Sequence, residues 1–205
     1  MVASEQAVRA IPELALIERA VGYTRMSLMA APGADPASPT PCARWDLLTL
    51  LTHMLESLEA LEEAGRVGRV STSLPAALAK SGTREAPDPA LGRLTAALTN
   101  QACGLLGAWS AGGGERLVDV SGSPMRSGVL AAAGALEIAV HGWDVGVACG
   151  LDHPIPEALA ADLCAYLPLL VQSSDRPERF APRLPVPAGA RHAVRLLAEL
   201  GRRDP

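Results

Sequence analysis

The stretch that decides the fold is SGVLAAAGALEIAVHGWDVGVAC, which runs from Ser127 to Cys149. Nearly every residue in it is apolar or small, and a helix that is apolar on all sides is a buried helix. After Ser127, its strongly polar residues are Glu137, His141 and Asp144. At about 100° per residue, these three side chains project along one narrow stripe. The stretch therefore predicts a central, buried helix that carries a polar stripe.

Helical periodicity also dominates the rest of the chain, in which we find no convincing alternating strand. Apolar stripes bounded by proline and glycine predict five further helices, over about 4–29, 45–64, 89–109, 156–172 and 190–200. A short extended piece is possible at 116–120, and Gly65 and Gly68 are expected to end the second helix. Four long helices predict an all-α four-helix bundle with additional short C-terminal helices. No stretch resembles an inter-domain linker, so we expect a single domain over residues 1–205.

Composition excludes several functional classes. Hydrophobic residues make up 49% and charged residues 20%, which is typical of a folded globular chain. A net charge of −4 and 3% aromatic residues argue against a nucleic-acid partner, and the short basic cluster Arg202–Arg203 is expected to be a solvated end. We find neither an export signal nor an uninterrupted apolar run of membrane-spanning length. Four scattered cysteines without a CxxC pair are expected to stay reduced, so the prediction is a cytoplasmic protein without a membrane partner.

The polar stripe is chemically unusual because burying a carboxylate without compensation costs several kcal/mol. Such a group is therefore paired, protonated or bound to a metal. Glu137 and His141, four residues apart on one helix face, form a natural platform for a divalent cation in a bundle core. The pattern is equally compatible with a simple pair between these two residues, or with an arginine from another helix.

A metal site needs a third ligand, and three other histidines are available. His153 in a turn and His192 in the C-terminal helix are expected to be exposed. His53 lies in the second helix, away from its most apolar stripe, where small neighbours such as Ser57 and Ala60 would let another helix approach. A solvated His53 fits the periodicity as well, so the pattern alone leaves the third ligand open.

Two motifs resemble those of a known family. The segment PTPCARWDLLTLLTH, residues 39–53, resembles the PTPCxxWxxxxLLxH signature of the DinB-like superfamily. More narrowly, it resembles the mycothiol-dependent maleylpyruvate isomerase N-terminal family, whose second motif is similar to EIAVHGWD at residues 137–144. Residues 185–205 resemble the ending of the short, single-domain members. The resemblance covers essentially the whole chain, with both motifs in the family's order.

The resemblance implies a four-helix bundle whose metal ligands are His53, Glu137 and His141. Two histidines and one carboxylate suit zinc and leave a fourth position open, while nickel and iron are also possible. Asp144 is then expected to support a ligand rather than bind the ion.

The resemblance also implies a function, because relatives use mycothiol or bacillithiol in S-transfer, conjugation or isomerisation. We therefore expect a zinc-dependent transferase that activates a low-molecular-weight thiol, such as mycothiol, towards a small electrophile. The maleylpyruvate isomerases carry an additional C-terminal domain that these 205 residues do not contain, so we expect S-transfer ahead of isomerisation, with an isomerase-like enzyme as the other catalytic interpretation. The alternatives are a non-catalytic metal- or small-molecule-binding protein and a structural dimer module. A homodimer is an expectation by analogy, and Cys42 and Trp45 are expected to serve packing and the start of the second helix.

Overall fold

The protein is a helical bundle with two further helices at its C-terminal end. The computed structural model describes residues 13–43, 45–70, 89–112, 115–177 and 179–203. Its α-helices are α1 (Glu13–Ala30), α2 (Leu47–Val67), α3 (Pro89–Ala111), α4 (Ser127–Ala148), α5 (Glu157–Leu170) and α6 (His192–Glu199). The first four form the bundle, and α5 packs against both α4 and α6. The predicted all-α, DinB-like bundle is confirmed as a mostly helical one. Residues 4–12 of the predicted first helix lie outside the described residues.

Helix α4 is the central, buried helix that its sequence predicts. It packs most extensively on α1, and α2 packs most extensively on α3. The approach of α1 to α4 is close enough that a Cβ at Gly142 would collide with the Thr24 side chain. The Thr24 hydroxyl donates a hydrogen bond of 2.8 Å to the carbonyl of Ile138 across this contact. No helix in the described part of the chain, α4 included, is long and apolar enough to cross a membrane.

Helix α2 ends later than its sequence suggests. Gly65, expected to help end it, lies within the helix, and a Cβ there would be 2.8 Å from the Trp109 ring of α3. The helix ends at Gly68, whose φ of 72° is in the left-handed region and whose N–H bonds to the Ala64 carbonyl. Gly65 therefore permits close helix packing, and Gly68 is the residue that ends α2.

A small sheet at one end of the bundle departs from the expectation of no strand. Its strands are β1 (Arg69–Val70), β2 (Leu117–Val120) and β3 (Ser123–Arg126). β2 is the centre, parallel to β1 and antiparallel to β3. The extended piece considered at 116–120 corresponds to β2. Strands of two to four residues are too short to produce a visible alternation, which is why the pattern did not reveal the other two.

Candidate metal centre

Helices α2 and α4 bring together the three side chains predicted as metal ligands. One ligand atom each from His53, Glu137 and His141 lies within 4.8 Å of the other two. Oε2 of Glu137 is 3.0 Å from Nε2 of His141 and 3.6 Å from Nε2 of His53. Within the described ranges, this is the one group of three or more histidine, cysteine, aspartate or glutamate residues with such spacing. Cys42 is not a member of it.

The state of the Glu137 carboxylate fits a cation. Its Oε2 atom is buried and makes no hydrogen bond, although two imidazole nitrogens are near. A buried carboxylate oxygen without an aligned hydrogen bond is rare in folded proteins, and here only the nearby imidazoles offset its desolvation. A divalent ion shared with the imidazole nitrogens of His53 and His141 would compensate it. The residues therefore fit a cation, which would supply the partner that Oε2 lacks.

The start of α2 sets the position of His53. Asp46 has extended backbone geometry, and its side chain accepts a hydrogen bond of 2.9 Å from the backbone N–H of Thr49. This N-cap satisfies one of the backbone donors that the first turn of a helix leaves unpaired. The hydroxyl of Thr40 donates at 2.8 Å to the carbonyl of Trp45, which ties the preceding loop to the same point. His53 is thereby held two turns into a helix with a fixed beginning.

Trp45 covers one side of the candidate ligands. Its ring centroid lies 4.4 Å from that of His53 and 5.8 Å from that of His141. The two imidazole rings are themselves perpendicular, with centroids 5.2 Å apart. Trp45 is half-buried, so it packs as the sequence predicts, and in doing so it restricts the orientation of both imidazoles.

Asp144 orients His141 by contacting Nδ1, the ring nitrogen that does not face Glu137. Its Oδ2 atom lies 2.9 Å from Nδ1 of His141, and its side chain is 0% exposed. Burial by itself would lower the pKa of His141, but the hydrogen bond to Asp144 and the contact with Glu137 outweigh it and raise the pKa to about 9. For Glu137, which is an acid, burial alone would raise the pKa. The contacts with His141 and His53 outweigh burial and bring the pKa of Glu137 well below its usual range. Asp144 therefore leaves Nε2 of His141 directed at Glu137.

Arg202 forms a bidentate ion pair with Asp144. Its Nε donates to Oδ1 of Asp144 at 2.8 Å, and its Nη2 donates to Oδ2 at 2.7 Å. Burial alone would raise the pKa of Asp144, but these bonds from Arg202 and the bond to His141 lower it. The Arg202 side chain is 9% exposed, so the prediction of a solvated basic end is wrong for this residue. Arg202, Asp144 and His141 form a continuous chain of contacts that ends at the candidate ligands.

A glycine turn directs Arg202 towards Asp144. Gly201 follows α6 with a φ of 75°, and its N–H bonds to the Ala198 carbonyl at 3.1 Å. The N–H of Arg202 then bonds to the Leu197 carbonyl at 2.8 Å, which completes a Schellman ending. The sequence contained a usable signal, because a glycine after a helical stretch reverses the chain and a buried Asp144 needs a cation.

The other two histidines, His153 and His192, make contacts away from the candidate ligands. His153, expected to be exposed, is half-buried, and its ring stacks on Tyr23 at a centroid distance of 4.6 Å. The Tyr23 hydroxyl donates to the His153 carbonyl at 2.7 Å. His192 is exposed, as predicted, and its Nδ1 lies 2.6 Å from a carboxylate oxygen of Glu157. Neither residue belongs to the candidate metal group.

Comparison with known proteins identifies the family. The family model described as "Mycothiol maleylpyruvate isomerase N-terminal domain" matches residues 18–146, well over half of the chain. The matched segment includes both sequence motifs and all three candidate ligands. Neither a curated protein nor a solved structure gives a match. The chain therefore belongs to the mycothiol maleylpyruvate isomerase N-terminal domain family, as its two motifs predict.

Proposed function

We propose that the protein binds one divalent metal ion, zinc in the first place, through His53, Glu137 and His141. We further propose that it uses the ion to activate a low-molecular-weight thiol of the mycothiol type towards a small electrophile. The observation that supports the metal site is the buried Oε2 atom of Glu137, which lies beside two imidazole nitrogens without a hydrogen bond. Nickel and iron are compatible with the same ligand types. The family match supports the thiol class.

The roles of the chain's own residues follow from their contacts. Asp144 accepts a hydrogen bond from the Nδ1–H of His141, which leaves Nε2 of that imidazole for the ion, and Arg202 holds Asp144 in place. Trp45 shields one side of both histidines. When bound, a divalent ion supplies positive charge that favours the thiolate form of a thiol at an open coordination position.

The proposed reaction is a substitution at the electrophile. The thiol's sulfur forms a bond to the electrophilic carbon, the leaving group departs with its bonding electron pair, and the thiol proton passes to solvent. Two alternatives remain in view, a non-catalytic metal- or small-molecule-binding protein and a structural dimer module. Cytoplasmic location, a single domain over residues 1–205 and homodimer formation stay predictions.

Metal analysis of the untagged protein tests the site. We expect about one ion per chain, as for a three-ligand zinc site. His53→Ala should lose most of the metal, because two ligands from one helix remain. His192→Ala is the matched control, since it removes an exposed histidine outside the group and should retain the metal. Metal-free wild-type protein after growth with zinc, or equal metal content in both variants, would contradict the proposal.

Calorimetric titration of the zinc-loaded protein with mycothiol, followed by a transfer assay with a chromogenic halonitrobenzene, tests the activity. We expect thiol binding and turnover that both disappear when a chelator removes the ion. Metal binding without thiol binding would favour the non-catalytic binding protein. Absence of both would leave the structural module.

A further inference from the structure

A narrow apolar pocket between the bundle helices reaches two of the candidate metal ligands. The cavity is small, about 30 Å³, so it is a narrow cleft that admits only a slender group. Glu137 and His141 line it, together with Ile138 of α4. The walls from α1, α2 and α3 are formed chiefly by Val21, Leu28, Met54, Leu58, Leu98 and Ala102. Trp45 does not line the pocket, so the pocket approaches the ligands from another side.

The pocket offers few partners for polar groups. Its two hydroxyl-bearing residues are Thr24 and Ser57, and the Thr24 hydroxyl already donates to the Ile138 carbonyl at 2.8 Å. A hydroxyl group buried without a hydrogen bond is strongly unfavourable, whereas a buried methylene is favourable. The polyol part of a mycothiol-type thiol would leave several hydroxyls unpaired in this space. An apolar chain would leave none.

We infer that the pocket binds an apolar, chain-like substituent of the electrophile, whose reactive end lies at His53, Glu137 and His141. The substrate class is therefore a small electrophile with a short, unbranched alkyl tail, because the cleft is narrow, while the hydroxyl-rich part of the thiol stays outside the pocket. This inference rests on the proposed function, because it requires a metal ion at these three residues. It goes beyond that function by naming the feature of the electrophile, an alkyl tail, that the pocket would recognise.

Chain-length dependence of binding to the cobalt-loaded protein tests the inference. The probes are straight-chain alkyl hydroxamates from acetohydroxamate to octanohydroxamate, with affinities read from the visible cobalt spectrum and from calorimetry. Acetohydroxamate reports the metal alone, because it has no chain to place in the pocket. In the wild-type protein we expect a gain in affinity of about three- to fourfold for each added methylene until the pocket is full.

Two neighbouring residues of α3 provide a matched pair of variants. Ala102 is buried in the pocket wall, and Cys103 is exposed. Ala102→Leu should abolish the gain with chain length and leave acetohydroxamate affinity unchanged, whereas Cys103→Leu should behave as wild type. Ser57→Val, in α2, narrows the same pocket from the opposite wall. It replaces Ala102→Leu in the test if thermal melts show that Ala102→Leu is poorly folded.

The outcomes separate the inference from the proposed function. If acetohydroxamate binds but longer chains bind no better, the metal site stands and the inference is wrong. The inference is also wrong if the gain per methylene persists in both folded pocket variants, because the chain then lies elsewhere. If the protein holds no cobalt and acetohydroxamate changes no spectrum, the proposed function fails and the inference falls with it.

Discussion

Helix α4 carries two carboxylates on one stripe, and their surroundings are opposite. Asp144 is 0% exposed, and its two oxygens are occupied by Arg202 and by Nδ1 of His141. The Glu137 side chain is 38% exposed, and its buried Oε2 atom makes no hydrogen bond. A carboxylate whose hydrogen bonds are satisfied by the protein has a positioning role. A carboxylate that lacks them beside two imidazoles is the one available to a cation.

This difference does not come from α4 itself. The partner of Asp144 comes from the turn after α6, 58 positions along the chain, whereas the neighbour of Glu137 outside its own helix is His53 of α2. Both carboxyl groups have pKa values below their usual range, so ionisation alone does not distinguish them. What distinguishes them is the effect of removing the charge on stability and the effect on zinc affinity, and the following predictions test the two effects.

The largest expected effect is on the stability of Asp144→Ala. This change leaves the buried Arg202 guanidinium without its partner, and the loss of one member of a buried ion pair costs about 3–5 kcal/mol of unfolding free energy. Urea unfolding of the metal-free protein measures it. Asp152→Ala, at an exposed acid, should stay within about 0.5 kcal/mol of wild type. A loss below about 1 kcal/mol for Asp144→Ala would mean that the pair is not formed as described.

The double variant Asp144→Ala/Arg202→Met refines this result. Because it removes both charges, it should be more stable than Asp144→Ala alone. Equal instability of the single and double variants would show that packing around Asp144, and not the unpaired charge, carries the effect.

The next largest effect is the pH dependence of zinc affinity. The pKa of His141 is raised to about 9, so at neutral pH its Nε2 atom carries a proton that the ion must displace. Affinity should therefore rise about tenfold per pH unit from about pH 7 and level off near pH 9, whereas a histidine with an ordinary pKa would level off near about 6.5. Competition with a chelator, corrected for its own protonation, measures this. A profile flat above about pH 7 would contradict it.

Asp144→Asn is the informative companion to that titration. Its amide cannot stabilise the imidazolium as the carboxylate does, so the level region should move to lower pH. His192→Ala should reproduce the wild-type profile, because its contact with Glu157 lies outside the candidate group.

Some of this arrangement was predictable from the sequence. The apolar run of α4 and its polar stripe follow directly from composition and helical period, and they are confirmed by the burial of His141 and Asp144. His53 is different, because periodicity placed it on a face that suited solvent equally well. The family motif, and not the pattern, selected it, and the structure now places it beside Glu137.

The remaining features depend on contacts that no local pattern encodes. Arg202 was missed because its role depends on a turn at Gly201 and on a partner far away in the sequence. Gly65 was misjudged because a glycine near a helix end and a glycine against a neighbouring ring give the same local signal. Strands β1 and β3 were missed because pairing with β2, and not their own alternation, defines them.

The smallest expected effect is on the stability of metal-free Glu137→Gln. Glu137 is partly exposed and its Oε2 atom has no aligned hydrogen bond, so neutralising it should cost less unfolding free energy than neutralising Asp144, although its lowered pKa means that the loss is not zero. Urea unfolding in the presence of a chelator measures this, with Asp144→Asn as the acid-to-amide partner on the same helix. Zinc should stabilise wild type but not Glu137→Gln, because ligand-linked stabilisation requires binding to the folded state. If Glu137→Gln and Asp144→Asn lost equal amounts of unfolding free energy, the distinction between the two carboxylates would be wrong, because both would then have a structural role.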